Sequence, residues 1–126
     1  MPKRVLYIED DPDNMLLVRR AIESRGYQLL EASSGVSGVS MAESNEVDLI
    51  LLDINLPDID GYEVARRLRK SPKGALTHTP LIAVTANALR GDAERALAAG
   101  CDLYMSKPIN LRELWARVDS FLGVRS

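Results

Sequence analysis

The stretch VDLILLDINLPDIDGYEV, Val47–Val64, decides the architecture. Its first half is an apolar run that stops at Asp53, and its second half holds Asn55, Pro57, Asp58, Asp60 and Gly61 before a helix-like segment starts. A continuous apolar run of this kind is what a strand covered on both faces looks like, as in a parallel sheet flanked by helices. A carboxylate at the end of such a strand is partly desolvated, which costs free energy unless something pairs with it. The rest of the chain has to supply that partner.

Toward the N-terminus, RVLYI (Arg4–Ile8) is a second short apolar run, ending in Glu9-Asp10. DPDNMLLVRRAIESRG then places Leu17, Val18, Ala21 and Ile22 at helical spacing, with Asp11 as N-cap, Pro12 as first helical residue and Gly26 as stop. YQLLEA reads as a strand, and SSGVSGVSMAESN as a helix weakened by Gly35 and Gly38. Toward the C-terminus, Asp60 and Glu63 have capping-box spacing for a helix through Lys70. PLIAVTA is a strand, and LRGDAERALAAG sets Leu89, Ala93, Ala96 and Leu97 on one helix face with Gly100 as stop. DLYMS is a last strand. NLRELWARVDSFLG carries Leu111, Leu114, Trp115, Val118 and Leu122 on one face behind an Asn110 cap.

Strand and helix therefore alternate five times, which predicts an α/β fold with a five-stranded parallel sheet and helices on both faces. The 126 residues, 46% hydrophobic and 27% charged, fit one globular domain spanning 1–126. A net charge of -2 without a clustered basic face gives no sign of nucleic-acid binding. No apolar run reaches membrane-spanning length, and the N-terminal MPKRVLYIEDD turns acidic too soon for a signal peptide. The single cysteine, Cys101, allows no internal disulfide and suits a reducing, cytoplasmic setting.

In doubly wound sheets ligands sit beyond the carboxyl ends of the strands. Those ends carry Glu9-Asp10, Asp53, Thr85-Ala86, Tyr104 and Lys107-Pro108. Three carboxylates without a nearby His or Cys favour a hard cation, and Mg²⁺ suits one or two carboxylates together with a phosphate. A carboxylate can act as a nucleophile toward phosphorus, and a hydroxyl and a lysine can hold phosphoryl oxygens. Mutual repulsion of Glu9, Asp10 and Asp53 predicts that Asp10→Asn stabilises the metal-free fold.

Glu9-Asp10, Asp53 within LLDINLPDIDG, Thr85-Ala86 and Lys107-Pro108 together resemble the receiver domains of two-component response regulators, over essentially the whole chain. The resemblance implies the flavodoxin-like strand order 2-1-3-4-5 and a likeness to stand-alone regulators of chemotaxis and cell division. It implies that Asp53 accepts a phosphoryl group from a sensor histidine kinase or a histidine phosphotransfer protein. Asp10, Asp53 and the backbone carbonyl of Asn55 would bind Mg²⁺, or Mn²⁺ in its place, with Glu9 acting through a metal-bound water. Thr85, Ala86 and Lys107 would hold the phosphoryl oxygens, and Tyr104 would move inward as the switch aromatic. Asn55 and Asn87 would tune dephosphorylation, and the Lys107-Pro108 peptide would be cis. Output would pass to a downstream protein through the fourth helix, fifth strand and fifth helix, bearing Arg90, Arg95, Arg112 and Arg117. The chain would be a monomer or a phosphorylation-dependent dimer, and not an enzyme acting on outside substrates.

Two other classes compete. An aspartate-nucleophile phosphohydrolase of the haloacid-dehalogenase kind places a second acid two residues after the nucleophile, where Asn55 stands here. A flavodoxin needs a Ser/Thr-rich phosphate loop after its first strand, where Glu9-Asp10-Asp11 stand and would repel a flavin phosphate. Asp11, Asp13, Asp58 and Asp60 read as caps, turn residues or solvated acids, His78 as a loop residue, and Cys101 and Trp115 as packing.

Overall fold

A computed structural model describes residues 2–86 and 91–123. The expectations placed on Asn87, Leu89 and Arg90 lie outside the described residues. The elements run β1 (Arg4–Ile8), α1 (Pro12–Ser24), β2 (Gln28–Ala32), α2 (Gly35–Ser44), β3 (Leu49–Asp53), α3 (Gly61–Arg69), β4 (Leu81–Thr85), α4 (Asp92–Ala98), β5 (Leu103–Ser106) and α5 (Leu111–Leu122). A short 3-10 turn, Gly74–Thr77, precedes β4. The five strands form one parallel sheet in the order β2-β1-β3-β4-β5. This is the doubly wound, flavodoxin-like arrangement, and its crevice lies beyond the ends of β1, β3 and β4.

Side chains alternate along each strand and divide the core in two. Leu6, Ile8, Ile50, Leu52, Leu81 and Ala83 face the side covered by α2, α3 and α4, where Ala42, Val64, Leu68 and Ala96 meet them. Val5, Tyr7, Leu49, Leu51 and Ile82 face α1 and α5, against Val18, Ile22, Leu114 and Val118. Every residue of β3 and β4 is buried, as continuous apolar runs require.

Local chemistry fixes the boundaries. The Asp11 carboxylate accepts from the Asp13 and Asn14 N–H groups at the start of α1, and Pro12 fills the first turn. Asn110 caps α5 by accepting from Glu113 N–H. Gly38 is why α2 forms so close to the sheet: a Cβ there would lie 2.5 Å from Ile8 Cδ1. The glycines that weaken this helix in isolation are the ones that let it pack.

Three expectations need correction. Leu17 is 42% exposed, because α1 buries Met15, Val18, Ala21 and Ile22 and Leu17 falls off that face. Leu97 is 54% exposed for the same reason on α4, where Ala96 takes the buried position. Asp60 caps α3 through Tyr62 N–H, but Glu63 does not close a capping box and pairs instead with Arg66 and Arg67 at 3.2 Å. Trp115 packs against the core and donates its Nε1–H to Ala21 O at 2.8 Å, with Arg25 stacked on its ring. Cys101 is buried, and burial raises its thiol to about 11, so it is an inert packing residue.

Candidate functional site

The sequence brings four strand ends to one rim, and the backbone fixes where each side chain starts. Asp53 closes β3 in register with Val84, and the next N–H, that of Ile54, donates to Val84 O at 3.0 Å. Thr85 closes β4, and Lys107 N–H donates to Thr85 O at 2.7 Å, which seats Lys107 beside it. The Lys107-Pro108 peptide is cis.

Glu9 and Asp53 are each 2% exposed, whereas Asp10 is exposed. Lys107 Nζ lies 2.9 Å from Glu9 Oε1 and 3.3 Å from Asp53 Oδ2, so the lysine bridges the two buried carboxylates. Asp53 Oδ1 accepts from Asn55 N–H at 3.1 Å. Glu9 receives more: Tyr7 O–H at 2.9 Å and Asn14 Nδ2–H at 3.3 Å on Oε1, and Asp11 N–H at 3.3 Å on Oε2. The partner for the carboxylate at the end of β3 is thus a lysine from the far end of the chain.

This unequal sharing decides where the proton goes. Burial and the adjacent Glu9 raise the Asp53 carboxyl to about 7, with Lys107 and the Asn55 N–H offsetting only part. Burial acts the same way on Glu9, but hydrogen bonds from Asp53, Lys107 and Tyr7 outweigh it and hold Glu9 at about 2. Asp53 is the member that protonates, because Glu9 has the closer lysine contact and the additional donors. Burial lowers the Lys107 ammonium, and the two acids more than compensate, so its pKa is raised. The strain of like charge therefore sits on buried Asp53. The exposed Asp10 is screened by solvent, and the expected stabilisation by Asp10→Asn does not follow from this geometry.

One carboxylate oxygen from each of Glu9, Asp10 and Asp53 lies within 4.8 Å of the others. An all-oxygen set of this size fits a hard divalent cation, so the residues present suit a metal site. Thr85 is buried, Ala86 is exposed, Asn55 is exposed, and Tyr104 is half-buried against the α2–α4 side of the core.

Sequence reasoning missed two supporting features. Tyr7 lies two residues before Glu9 on the same strand, so its side chain shares a face with it; that spacing was the available signal. Asp58, read only as a turn residue, accepts from Gly35 and Val36 N–H at 2.8 and 2.9 Å. These bonds, the Val36 one foremost, lower its carboxyl to about 2 and tie the loop after β3 to the start of α2. No local pattern announces a cap supplied from twenty-odd residues away.

A parallel sheet in this order, with buried acids and a lysine at its carboxyl rim, defines a phosphoryl-accepting α/β switch domain. Residues 5–119 match the response regulator receiver domain, and the chain belongs to that family. It is 42% identical over 123 residues to the polar-differentiation response regulator DivK of Brucella anthropi, covering 98% of each chain. DivK of Brucella ovis matches at the same identity and coverage. Among solved structures, the receiver domain of a Pseudomonas aeruginosa sensor histidine kinase, with a magnesium ion coordinated in its active-site cleft, is 35% identical with a TM-score of 0.88. That match covers 98% of this chain and 100% of the other. A CheY-like receiver from Methanospirillum hungatei is 30% identical, TM-score 0.88, over 98% and 95% of the two chains. The protein is a phosphorylation-dependent switch of a two-component system, in a family whose members interact with histidine kinases or phosphotransfer proteins and with downstream proteins. Among the described residues no helix is long and apolar enough to cross a membrane.

Proposed function

We propose that the chain acts as a single receiver unit over 1–126 and that Asp53 is its sole phosphoryl acceptor. The observation that carries this reading is Lys107 Nζ bridging the buried carboxylates of Glu9 and Asp53 at 2.9 and 3.3 Å. An Asp53 carboxylate oxygen attacks the phosphorus of a phosphohistidine. The P–N bond breaks and its electron pair returns to the imidazole. Lys107 stays beside the new acyl phosphate as a point charge on its oxygens, while Thr85 O–H and the Ala86 N–H donate to others. Asp10, Asp53 and the Asn55 carbonyl, with Glu9 through a water, would hold Mg²⁺ or Mn²⁺. Bound there, the ion would neutralise the clustered acids and the phosphoryl oxygens. Asn55 and Asn87 tune hydrolysis of the phosphoryl group. Asn55 offers no acid–base carboxyl for turning over outside substrates. The phosphodonor is a sensor histidine kinase or histidine phosphotransfer protein in the cytoplasm, and the protein works as a monomer or a phosphorylation-dependent dimer. The test is intact mass after treatment with acetyl phosphate and Mg²⁺: wild type gains one phosphoryl group and Asp53→Asn gains none. Phosphorylation of Asp53→Asn at the wild-type rate would defeat the assignment.

Output belongs to the same proposal. Thr85 closes β4 and Tyr104 lies in register with Ala83 beside it on β5, so a Thr85 drawn toward the phosphoryl group vacates space that Tyr104 can turn into. The surface that changes is α4, β5 and α5, with Arg95, Arg112 and Arg117, and it binds the downstream protein. A bias of a few kcal/mol is enough, within reach of the new charge-assisted hydrogen bonds. Thr85→Ala is expected to keep phosphorylation at Asp53 but lose the response at the far surface. Backbone amide shifts on phosphorylation should spread to residues 92–98 and 103–106 in wild type and stay near Asp53 in the mutant. The same far-surface shifts in both proteins would rule out this route.

A further inference from the structure

The crevice above Asp53 continues sideways, between the loop after β3 and helix α4, as a cavity of ≈ 560 Å³ whose lining includes Asp10, Asn55, Tyr62, Thr85, Asp92 and Arg95. Among the described residues that line it, Arg95 alone carries positive charge. Its guanidinium carbon lies 4.4 Å from the centroid of the Tyr62 ring, so one face of the group is fixed on the aromatic. Among the described residues its N–H edge meets a carboxylate only at Asp92 Oδ1, 4.0 Å away and beyond hydrogen-bond distance, and the side chain is 63% exposed. Of the acids in the lining, Asp58 and Asp60 are committed to backbone donors, and Asp10 is exposed. Asp58 accepts from Gly35 and Val36 N–H, and Asp60 accepts from Tyr62 N–H at 2.7 Å. Among the described residues the cavity therefore offers an arriving anion one oriented set of cationic donors, and Thr85 and Asp10 line the same cavity.

We propose that Arg95 captures small anionic phosphodonors of the acyl phosphate class and guides them to Asp53. The proposal rests on Asp53 being the acceptor. In the reaction a carboxylate oxygen of Asp53 forms the new O–P bond, the P–O bond to the acyl group breaks, and the electron pair leaves with the carboxylate product. Arg95 touches the donor before that step and holds no charge that develops in it, so its effect falls on capture and scales with the donor's charge. Acetyl phosphate carries about two negative charges at neutral pH. A single positive charge at about 6 Å changes its local concentration about fourfold at 0.1 M ionic strength and about sevenfold at 0.01 M.

The experiment follows phosphorylation of wild type, Arg95→Gln and Arg95→Lys by intact mass, with acetyl phosphate and with phosphoramidate, whose protonated nitrogen leaves it one negative charge fewer. Asp53→Asn serves as the blank. Arg95→Gln is expected to lower the second-order rate with acetyl phosphate about fourfold at 0.1 M salt and about sevenfold at 0.01 M, and to come close to wild type near 1 M. With phosphoramidate the loss should be about half as large on a logarithmic scale. Arg95→Lys keeps the charge and should recover most of the rate. Wild-type rates in Arg95→Gln at 0.01 M, an equal loss with both donors, or a loss that persists at high salt would each overturn the role of Arg95. Phosphorylation of the Asp53→Asn blank would refute the acceptor itself, and the proposal with it.

Discussion

Asp53→Asn raises the melting temperature of the metal-free protein, and by more as the pH rises. Asp53 is 2% exposed, and burial beside Glu9 raises its carboxyl from 3.8 to about 7. A group whose folded-state pKa exceeds its unfolded value contributes fully below the unfolded pKa, and that contribution is lost as pH rises through the folded one. In EDTA the wild type should thus lose stability between about pH 4 and pH 8. Glu9 acts only at the acid edge of this window, since its lowered carboxyl gives up stability as pH falls from about 4.5 toward about 2. Asparagine keeps the shape of Asp53 and an oxygen to accept from Asn55 N–H, and removes the charge. The gain at pH 8 should be on the order of 2 kcal/mol, or about 5–8 °C, and should shrink to nothing near pH 4. Mg²⁺ should reverse the order, because a ligand that binds only the folded state stabilises the protein that binds it better. Asp10→Asn, at an exposed position, should change metal-free stability by less than about 0.5 kcal/mol. Melting curves at pH 4, 6 and 8, in EDTA and in Mg²⁺, decide this. An Asp53→Asn protein less stable than wild type in EDTA at pH 8 would contradict it.

The strands and most helix ends were legible because their signals are local. VDLILLDI needs no partner to read as a strand buried on both faces, and Asp11-Pro12 or Asn110 mark helix starts through their own side chains. The residues at the strand ends followed from topology, since a parallel sheet delivers every strand's carboxyl end to one rim. What stayed hidden depends on distance in the folded chain. Leu17 looks as apolar as Val18, and only the packing of α1 against β1 and β3 shows which is outside. Glu63 stands at capping-box spacing, yet Arg66 and Arg67 one turn on outcompete the backbone for it. The division of charge within the site was equally illegible. The sequence shows three acids, but it does not show that two are buried and one exposed, or that Tyr7 and Asn14 favour Glu9 over Asp53. That division of burial shifts the larger expected stabilisation from Asp10→Asn to Asp53→Asn.

Gly61→Ala is expected to damage both the fold and the reaction, although alanine is the better helix former. Gly61 opens α3, and its N–H donates to Ile54 O at 3.0 Å, so the helix starts almost in contact with the strand end. A Cβ there would lie 2.5 Å from Ile54 Cα and 2.8 Å from Asp53 O. Both obstacles are backbone, and Ile54 is itself held to β4 through Val84 O. No rotamer change relieves the clash. Either α3 retreats, breaking the Asp60 cap on Tyr62 N–H, or the end of β3 moves and takes Asp53 away from Lys107. Forced displacement of packed backbone costs about 2–4 kcal/mol. A shift of several tenths of an ångström at Asp53 should slow phosphorylation by acetyl phosphate about tenfold or more. Gly74→Ala is the matched control, because a Cβ at that position in the 3-10 turn has nothing within 4 Å. It should stay within about 0.5 kcal/mol of wild type and phosphorylate at the same rate. Urea unfolding and the acetyl phosphate rate, measured on both variants, separate the two cases. If Gly61→Ala proves as stable and as fast as Gly74→Ala, the close approach of α3 to the end of β3 does not hold Asp53 in place.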